Sequence, residues 1–364
     1  MIYILKFGEI FLKGKWKRKE YIRNIKLNIK HIFKHVRIKQ KDNVLLVESD
    51  KDIFEDLKHI FGIEKVGEII RIARDLNKLY ETLNQFSNKF TYKLKVKRID
   101  KTYELKSMDL LKQIIANIHI PLGVKTYDKL IKIEIHSDSF WIYKRDEKGV
   151  GGYPKSHERV LLFFSGGFDS TLSLFLLLRA GLDVIPVLLF RDKEDKKIPN
   201  EIISYFKKTY YFERNLIEIN LSSIIPHLLS INARIRQMVF KRFIYILGNC
   251  LAKKYNVKYI AFGESLNQVH TQTLHHLNLL QQKIDVFILR PVLFYKKEEI
   301  INEIRKLGLY KLCSNVKEKC KITDKFDTYI KANELFKYDE QLTLLACTHI
   351  DKFIENRKIT SKHE

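Results

Sequence analysis

The chain has few cysteines and no long apolar segment. Its four cysteines in 364 residues show no disulfide-framework spacing, and no C-x-x-C pair is present, which argues against a secreted disulfide scaffold and a zinc ribbon. The longest apolar runs, 160–164 and 172–178, are far shorter than the ~20 residues of a membrane span. The opening MIYILKFGEI has an early glutamate and no cleavage site, so it is not a signal peptide. We therefore expect a soluble, cytoplasmic protein with no membrane partner.

Acidic residues are also scarce relative to basic ones. The chain has 67 Lys and Arg against 43 Asp and Glu, a formal charge of +24, which favours a polyanionic partner. An AT-rich coding bias would enrich Lys everywhere, so its distribution decides more than the total. The first 41 residues contain thirteen Lys or Arg and only two acids, Glu9 and Glu20. This local excess favours contact with nucleic acid.

Residues 160–170, VLLFFSGGFDS, predict a phosphate-binding turn. The first five are continuously apolar, as in a buried parallel strand, and the glycine pair 166–167 allows a tight turn. We expect Asp169 or Ser170 to cap a helix over 171–179, leaving free backbone N–H groups in the turn. The Walker spelling G-x-x-x-x-G-K-[ST] is absent, and no G-x-G-x-x-G follows the strand. An ordinary tight turn is the alternative interpretation.

The pattern divides the chain into three units and a linker. Residues 1–52 predict a small α/β unit, with a basic amphipathic helix over 17–34, and 53–148 a second unit. The Gly-rich stretch 149–158 reads as a linker. In 159–364 apolar strands alternate with helices, which predicts a parallel sheet covered by helices. The predicted strands lie near 160–164, 184–190, 216–219, 258–262 and 286–289, and the helices near 171–180, 199–209, 233–254, 270–281, 297–306 and 327–337.

Two further motifs follow strands of the last unit. AFGESLNQVHTQ, starting at residue 261, places Gly263 and Glu264 at the carboxyl end of a strand, where open α/β sheets bind ligands. FILRPVLFYKKEEII, starting at residue 287, places Arg290 and Lys297 near another strand end and the start of a helix. Taken singly each motif is weak, because a glycine after a strand is usually only a turn.

The segment SGGFDS resembles the pyrophosphate loop of the N-type ATP pyrophosphatases, which split ATP between its α and β phosphates and adenylate a carbonyl oxygen. The ordered set SGGFDS, GESLNQVHTQTL and LRPVLFYKKEEII, with KGVGGYP and GEIFLKGK before it, resembles the tRNA 4-thiouridine synthetase family (ThiI) over nearly the whole chain. The resemblance implies an N-terminal ferredoxin-like domain, a THUMP RNA-binding domain and a parallel-sheet PP-loop ATP pyrophosphatase domain, in the order of the three units.

The same resemblance implies an activity and its partners. Uridine 8 of tRNA would be adenylated at O4 by ATP, expected with Mg²⁺, and sulfur would then displace AMP. The residues expected to contact tRNA belong to the basic amino-terminal cluster: Lys13, Lys15, Lys17, Arg18 and Arg23. A homodimer is expected from the family alone. Two alternatives stay open: an RNA-binding THUMP protein with a defunct catalytic domain, and another N-type pyrophosphatase acting on a small molecule.

Family positions also imply the site residues. Asp169 would position Mg²⁺ or an attacking group, Lys297 would balance developing negative charge, and Cys320 would resolve a persulfide. Lys241 stands where the family has an arginine, which keeps the charge but loses the bidentate fork. No metal site made by the protein alone is predicted. The implied ATP-binding residues are Phe163, Phe164, Ser165, Gly166, Gly167, Ser170, Leu188, Leu189, Lys241, Gly263 and Gln272, of which the apolar ones are also explained as strand core.

The sulfur source is the open part of this prediction. Longer bacterial members carry a rhodanese domain, and some archaeal members a C-x-x-C where this sequence has QMVF at 237–240; neither is recognisable here. We expect a separate donor, such as a cysteine desulfurase or sulfide. Cys320 lies between two lysines that favour its thiolate. Whether Cys313 or Cys347 acts with it stays open, as does the interpretation of Cys320 as a bystander.

Overall fold

The computed structural model of the protein describes residues 1–41, 43–316 and 329–360. The chain forms two compact units, one ending at Pro154 and the other beginning at Lys155. Within the described ranges, no helix combines the length and apolar character needed to cross a bilayer.

The first unit is built on a seven-stranded sheet with the order β2-β3-β1-β4-β7-β6-β5. All neighbouring strands are antiparallel except β5 and β6, which are parallel. Both outer strands are basic: β2 reads RIKQK and β5 reads YKLKVKR. The elements are β1 Ile2–Lys6, α1 Lys15–Ile32, β2 Arg37–Lys41, β3 Val44–Glu48, α2 Phe54–Lys58, β4 Lys65–Ala73, α3 Leu76–Asn84, β5 Tyr92–Arg98, α4 Ser107–Asn117, β6 Lys129–Ile135 and β7 Ser139–Lys148.

Helix α1 confirms the predicted amphipathic helix and shifts its bounds by two residues. It buries Ile22, Ile25 and Ile29, whose spacing places them on one face, while its lysines remain on the other. The helix ends at Ile32 because Phe33 is already extended.

Continuous strand pairing crosses the predicted boundary at residue 52. Strand β1 pairs with β3 on one side and β4 on the other, and β4 pairs with β7. The division of this unit into two domains therefore stays a prediction. The start of the predicted linker hydrogen-bonds to the same unit, since the Gly149 N–H donates to the Glu64 carbonyl at 2.8 Å and the Val150 N–H to the Lys58 carbonyl at 2.7 Å.

The second unit contains the predicted parallel sheet, with five strands in the order β10-β9-β8-β11-β12. Strand β8 is central, so the loop after it lies between the ends of β9 and β11. The elements are β8 Arg159–Phe163, α5 Phe168–Arg179, β9 Asp183–Phe190, α6 Lys197–Tyr210, β10 Ile217–Asn220, α7 Ile225–Leu229, α8 Ala233–Lys254, β11 Tyr259–Phe262, α9 Leu274–Gln281, β12 Phe287–Leu289, α10 Lys297–Lys306, α11 Tyr310–Ser314, α12 Ala332–Phe336 and α13 Asp339–Thr360.

Two helix predictions in this unit need correction, and one long helix was not predicted. The segment predicted as helix 270–281 is a short 3-10 turn at His270–Gln272 followed by α9, because Thr273 is extended and its side chain caps α9 by accepting from the His276 N–H. Part of the predicted helix 327–337 lies outside the described residues, and the rest contains only α12. Helix α13 was not predicted.

Candidate active site

The turn after β8 is closed by the hydroxyl of Ser170. This hydroxyl accepts from the Ser165 N–H at 3.2 Å and donates to the Gly167 carbonyl at 3.2 Å, and it lies 3.1 Å from the Ser165 Oγ. Gly166 has a φ of +78°, a left-handed conformation that favours glycine. These internal hydrogen bonds hold the turn in one conformation.

The predicted side-chain cap at the start of α5 is wrong. The helix begins at Phe168 with Gly167 as its N-cap, and no side chain among the described residues caps it. Asp169 and Ser170 are therefore in the first turn of the helix rather than before it. Because the first N–H groups of a helix have no partner within the helix, this uncapped end offers donors and a partial positive charge to an anion. Within the turn itself the Ser165 N–H donates to the Ser170 Oγ and the Gly167 N–H to the Ser165 Oγ at 3.3 Å, so free N–H groups stay a prediction for the start of α5.

Asp169 and Lys297 meet across the turn. The Lys297 Nζ lies 3.0 Å from Asp169 Oδ1 and 3.3 Å from Oδ2. Each residue comes from the first turn of its helix, α5 or α10. Their side chains are 23% and 47% exposed, so both ends of this ion pair remain accessible to a ligand. The structure brings together the two residues that the sequence separates by 128 positions.

Gly263 touches the backbone of α5. A Cβ at this position would lie 2.7 Å from the Ser170 nitrogen and 2.8 Å from the Asp169 carbonyl carbon. Contacts this short with backbone atoms cannot be relieved by moving a side chain, so the site requires glycine. The end of β11 therefore fixes the position of the helix end that carries Asp169.

Glu264, next in sequence, lies at the centre of a buried polar cluster. Its carboxylate accepts from the Tyr245 hydroxyl at 2.5 Å, from Arg290 Nε at 3.0 Å and from Lys241 Nζ at 3.4 Å. Arg290 also donates to the Tyr245 hydroxyl at 3.1 Å. Burial and the neighbouring Glu264 carboxylate raise the pKa of Tyr245, which keeps its hydroxyl a donor.

This cluster was only partly visible in the sequence. Glu264 and Arg290 were singled out by their motifs, but Tyr245 was not. Lys241 and Tyr245 are four residues apart on α8, which places both on one helix face. The i, i+4 spacing of these two polar side chains was the available signal. Lys241, predicted to contact ATP, is engaged with Glu264 here.

The apolar residues predicted to contact ATP belong largely to the core. Phe163 stacks on Phe262 with ring centroids 5.0 Å apart, and Phe262 stacks on Tyr245 at 4.3 Å. A side chain on Gly248 would lie 2.8 Å from the Phe163 ring, so α8 packs directly against it. Phe164 and Leu188 are also buried, whereas Leu189 is half-buried. Contact of these residues with ATP stays a prediction.

Gln272 combines burial with an unpaired acceptor. Its side chain is 8% exposed, and its Oε1 has no hydrogen-bond partner among the described residues. A buried amide oxygen without a partner costs about 1–3 kcal/mol, so the position favours a ligand that donates a hydrogen bond. This fits the prediction for Gln272 without testing it.

The cysteines differ in burial and in what lies next to their sulfur atoms. Cys320 lies outside the described residues, so its predicted role stays a prediction. Cys313 is buried in α11, and burial raises the pKa of its thiol to about 11, which disfavours the reactive thiolate. Cys347 on α13 has its sulfur 3.5 Å from the sulfur of Cys250 on α8. Burial, then Cys347, raises the pKa of Cys250 to about 12.

The basic residues predicted for tRNA lie in the first unit and differ in what they contact. Lys13, Lys15 and Arg23 are exposed. Lys17 pairs with Glu20 at 2.9 Å. Arg18 donates to the carbonyl oxygens of Phe11 at 3.0 Å and Lys13 at 3.3 Å, so it also stabilises the turn before α1.

Exposed aromatic side chains at the start of α1 and in the second unit were missed by the sequence interpretation. Trp16 is 76% exposed beside the basic residues, and Phe294, which follows β12, is 81% exposed. In the sequence, the available signals were a tryptophan among basic residues, KGKWKRK, and a phenylalanine in the segment that follows a strand. Large exposed apolar side chains often mark binding surfaces.

The second unit has a parallel sheet whose central strand, β8, leads through a glycine turn into the start of α5. No side chain among the described residues caps that helix start, and Lys297 faces Asp169 there. This fold and site define the PP-loop class of ATP-using α/β domains. The family model described as thiamine biosynthesis protein (ThiI) matches residues 155–344, more than half of the chain, and the ThiI ferredoxin-like domain model matches residues 2–67. The chain belongs to the ThiI family.

Similarity to individual proteins extends over the full length. A Saccharolobus islandicus protein named probable tRNA sulfurtransferase is 28% identical over 376 residues, with 99% of each chain covered. An Acholeplasma laidlawii protein of the same name is 30% identical over 335 residues, covering 84% of this chain and 80% of the relative. A 4-thiouridine synthetase solved with RNA and ATP has a TM-score of 0.81 at 20% identity, with 95% and 97% of the two chains covered. At that identity the likeness shows the fold.

Proposed function

We propose that this protein is an ATP-dependent tRNA sulfurtransferase that converts uridine 8 of tRNA to 4-thiouridine. The observation that carries the proposal is the uncapped start of α5 with Asp169 facing Lys297 across the glycine turn. The names of the two relatives support it, and they weigh against both alternative functions, a defunct RNA-binding protein and a pyrophosphatase for a small substrate.

The carbonyl oxygen O4 is a poor leaving group, and the proposed reaction first bonds it to phosphate so that it can depart as part of AMP. In the first step the uridine O4 attacks the α-phosphorus of ATP; an O4–P bond forms, the bridging P–O bond breaks, pyrophosphate leaves and the N3 proton is lost. In the second step hydrosulfide adds at C4, the C4–O4 bond breaks, AMP leaves with the former O4, and the sulfur-borne proton replaces that on N3. No oxidant or reductant is required when sulfur arrives as hydrosulfide.

Within this scheme the turn binds the departing pyrophosphate. The backbone N–H groups at the start of α5 face the turn, and Ser165, Gly166, Gly167 and Ser170 form its frame. Hydrogen-bond donors fixed in advance stabilise charge as it develops on the bridging oxygen. Lys297, held 3.0 Å from the Asp169 carboxylate, adds a positive charge at the same place.

Mg²⁺ belongs to the proposal as a companion of ATP. The described residues contain no group of three or more side chains that would hold a metal by themselves. One accessible carboxylate, Asp169, fits the usual arrangement in which Mg²⁺ is held by one or two carboxylates and by phosphate oxygens. Asp169 would hold the ion there, and the ion would neutralise phosphate charge.

The RNA side of the proposal rests on the first unit. Its THUMP assignment and its contact with tRNA are supported by the exposed Lys13, Lys15 and Arg23 and by the charge of the first 41 residues. A cytoplasmic location and a homodimer complete the proposal, the first because the substrate is tRNA.

The sulfur donor is proposed to be a separate protein, such as a cysteine desulfurase, or sulfide. If a carrier persulfide delivers the sulfur, its outer sulfur bonds to C4 as AMP leaves. A thiolate then attacks the inner sulfur of the carrier: a new S–S bond forms between thiolate and carrier, the old S–S bond breaks, and the outer sulfur stays on C4. Cys320 is proposed for that step, and Cys313 is disfavoured because it is buried and protonated.

Replacement of the loop acid tests the proposal. The full chain is incubated with unmodified tRNA, ATP, Mg²⁺ and sulfide, and 4-thiouridine is followed by its near-ultraviolet absorbance. We expect Asp169→Asn to lower the rate by about 10²-fold or more while tRNA affinity is unchanged. The matched control is Asp285→Asn, which removes another surface ion-paired aspartate of the same unit and should retain full activity.

Each contrary result identifies an alternative. AMP release from the natural chain without thiolation would indicate a pyrophosphatase for another substrate. Tight tRNA binding without ATP turnover would indicate an RNA-binding protein. A fully active Asp169→Asn variant would remove this aspartate from the mechanism.

A further inference from the structure

A cavity lies beside Lys297, the residue that faces Asp169 at the start of α5. It measures about 360 Å³ and is lined by the segments that follow β11 and β12, including Leu266, Gln268, Leu293 and Phe294, and by Lys297. This volume lies within the range of small-ligand sites, about 300–1,000 Å³. Its residues come from the loops at the carboxyl ends of two parallel strands, where open α/β sheets bind ligands. We refer to these five residues as the base pocket.

Lys297 joins the base pocket to the turn. The same side chain lines the cavity and places its Nζ 3.0 Å from Asp169 Oδ1. A molecule in the base pocket therefore lies next to the group that faces the pyrophosphate turn.

The sheet order separates this pocket from Leu188 and Leu189, two of the residues predicted to contact ATP. Strand β8 lies between β9, which carries Leu188 and Leu189, and β11. The base pocket is on the β11 and β12 side. With the nucleoside of ATP against Leu188 and Leu189 and its phosphates at the turn after β8, the space beyond Gly263, lined by the segments after β11 and β12, is left for the second substrate.

The lining of the pocket suits a planar, polar ring. Phe294 is 81% exposed, so its ring is open for stacking. Stacking of a base on an aromatic side chain contributes about 1–3 kcal/mol. The Gln268 Nε2 is buried and has no hydrogen-bond partner among the described residues. A free amide donor of this kind matches a ring carbonyl oxygen, and an unpaired one is costly.

We propose that the base pocket receives the uracil of the target uridine, turned out of its RNA, with Phe294 stacked on the ring and Gln268 donating to a carbonyl oxygen. The proposal rests on the proposed function, and it assigns the second substrate to Phe294 and Gln268, neither of which is among the predicted ATP contacts. Enzymes that modify a base in structured nucleic acid take the base out of its stack and read its edge in this way.

Variants of Phe294 give the kinetic test. We expect Phe294→Ala to lower kcat/KM for tRNA about 5–150-fold, the loss of one stacking contact. Its affinity for ATP, measured with a fluorescent ATP analogue, should stay within twofold of the natural chain. Phe294→Tyr keeps a ring and should restore most of the loss. The matched control is Phe287→Ala, which removes a 63% exposed phenylalanine at the other end of β12 and should leave kcat/KM unchanged.

A cross-link gives a second measurement that does not depend on kinetics. Product tRNA contains 4-thiouridine, which cross-links to adjacent side chains under near-ultraviolet light. Bound to the full chain, it should label residues 266–268 or 293–295. Labelling elsewhere, or unchanged kcat/KM in Phe294→Ala, overturns the pocket assignment while thiolation by the natural chain still supports the function. Absence of thiolation in the natural chain overturns the function itself, and with it this inference.

Discussion

Two ion pairs lie at the same edge of the parallel sheet and differ in their burial and in the hydrogen bonds around them. The Glu264–Arg290 pair is buried, with 8% and 11% of the side chains exposed, and Tyr245 and Lys241 complete its hydrogen bonds. The Asp169–Lys297 pair is 23% and 47% exposed and has partly free charges. The buried pair fixes the architecture, whereas the exposed pair can exchange its internal contact for a ligand. Both acids follow a strand and a glycine, so their motifs alone do not distinguish them.

The largest effect should come from breaking the buried pair. Arg290→Met leaves the Glu264 carboxylate buried with less compensation, and we expect a loss of about 3–5 kcal/mol in the free energy of unfolding. Urea unfolding followed by far-ultraviolet circular dichroism measures it. Lys297→Met, the matched change in the exposed pair, should cost at most about 1 kcal/mol. Equal stability losses in the two variants would end the distinction between the pairs.

Activity should respond in the opposite order. Lys297→Met removes a charge opposite Asp169, and we expect about a 10²-fold lower thiolation rate at saturating ATP and tRNA. Its unfolding curve should nearly coincide with that of the natural chain. A rate within twofold of the natural one would show that this lysine has no part in the chemistry.

The third and smallest effect concerns the glycine that connects the pairs. Gly263 precedes Glu264 and touches the backbone that carries Asp169. Gly263→Ala should therefore cost about 1–3 kcal/mol of stability through overpacking. Gly167→Ala in the same turn is the control for stability, because its Cβ would meet only the Ser165 Oγ at 3.5 Å and its φ of −70° suits any residue. A Gly263→Ala chain as stable as the control would mean that β11 and α5 are not rigidly joined.

The sequence predicted the frame of this site better than its internal contacts. Strands β8 and β11 and the turn between β8 and α5 follow from local patterns of apolar residues and glycines. The pairing of Asp169 with Lys297 is a contact over 128 positions that no local pattern determines. The family resemblance predicts Lys241 as an ATP contact. Its contact with Glu264 depends on the packing of α8 against β11, which no local pattern determines.

The errors in the helix predictions also have physical causes. The pattern predicts a capping side chain at the start of α5, whereas the N-cap position is occupied by Gly167, which has no side chain to offer. Helix α13 was missed although Leu342, Ala346 and Ile350 recur every four residues and are buried. Polar residues between them obscured that narrow stripe, which is buried only because α8 lies against it.

The seven-stranded sheet has a consequence for contacts between copies of the protein. A free sheet edge exposes unpaired backbone groups that another chain can extend, and lysines along the edge oppose this. Here both outer strands are of that kind: RIKQK in β2 and, after Tyr92, KLKVKR in β5. Two such edges repel each other before any backbone bond can form. The charge of these outer strands therefore disfavours sheet-to-sheet pairing between copies of this chain.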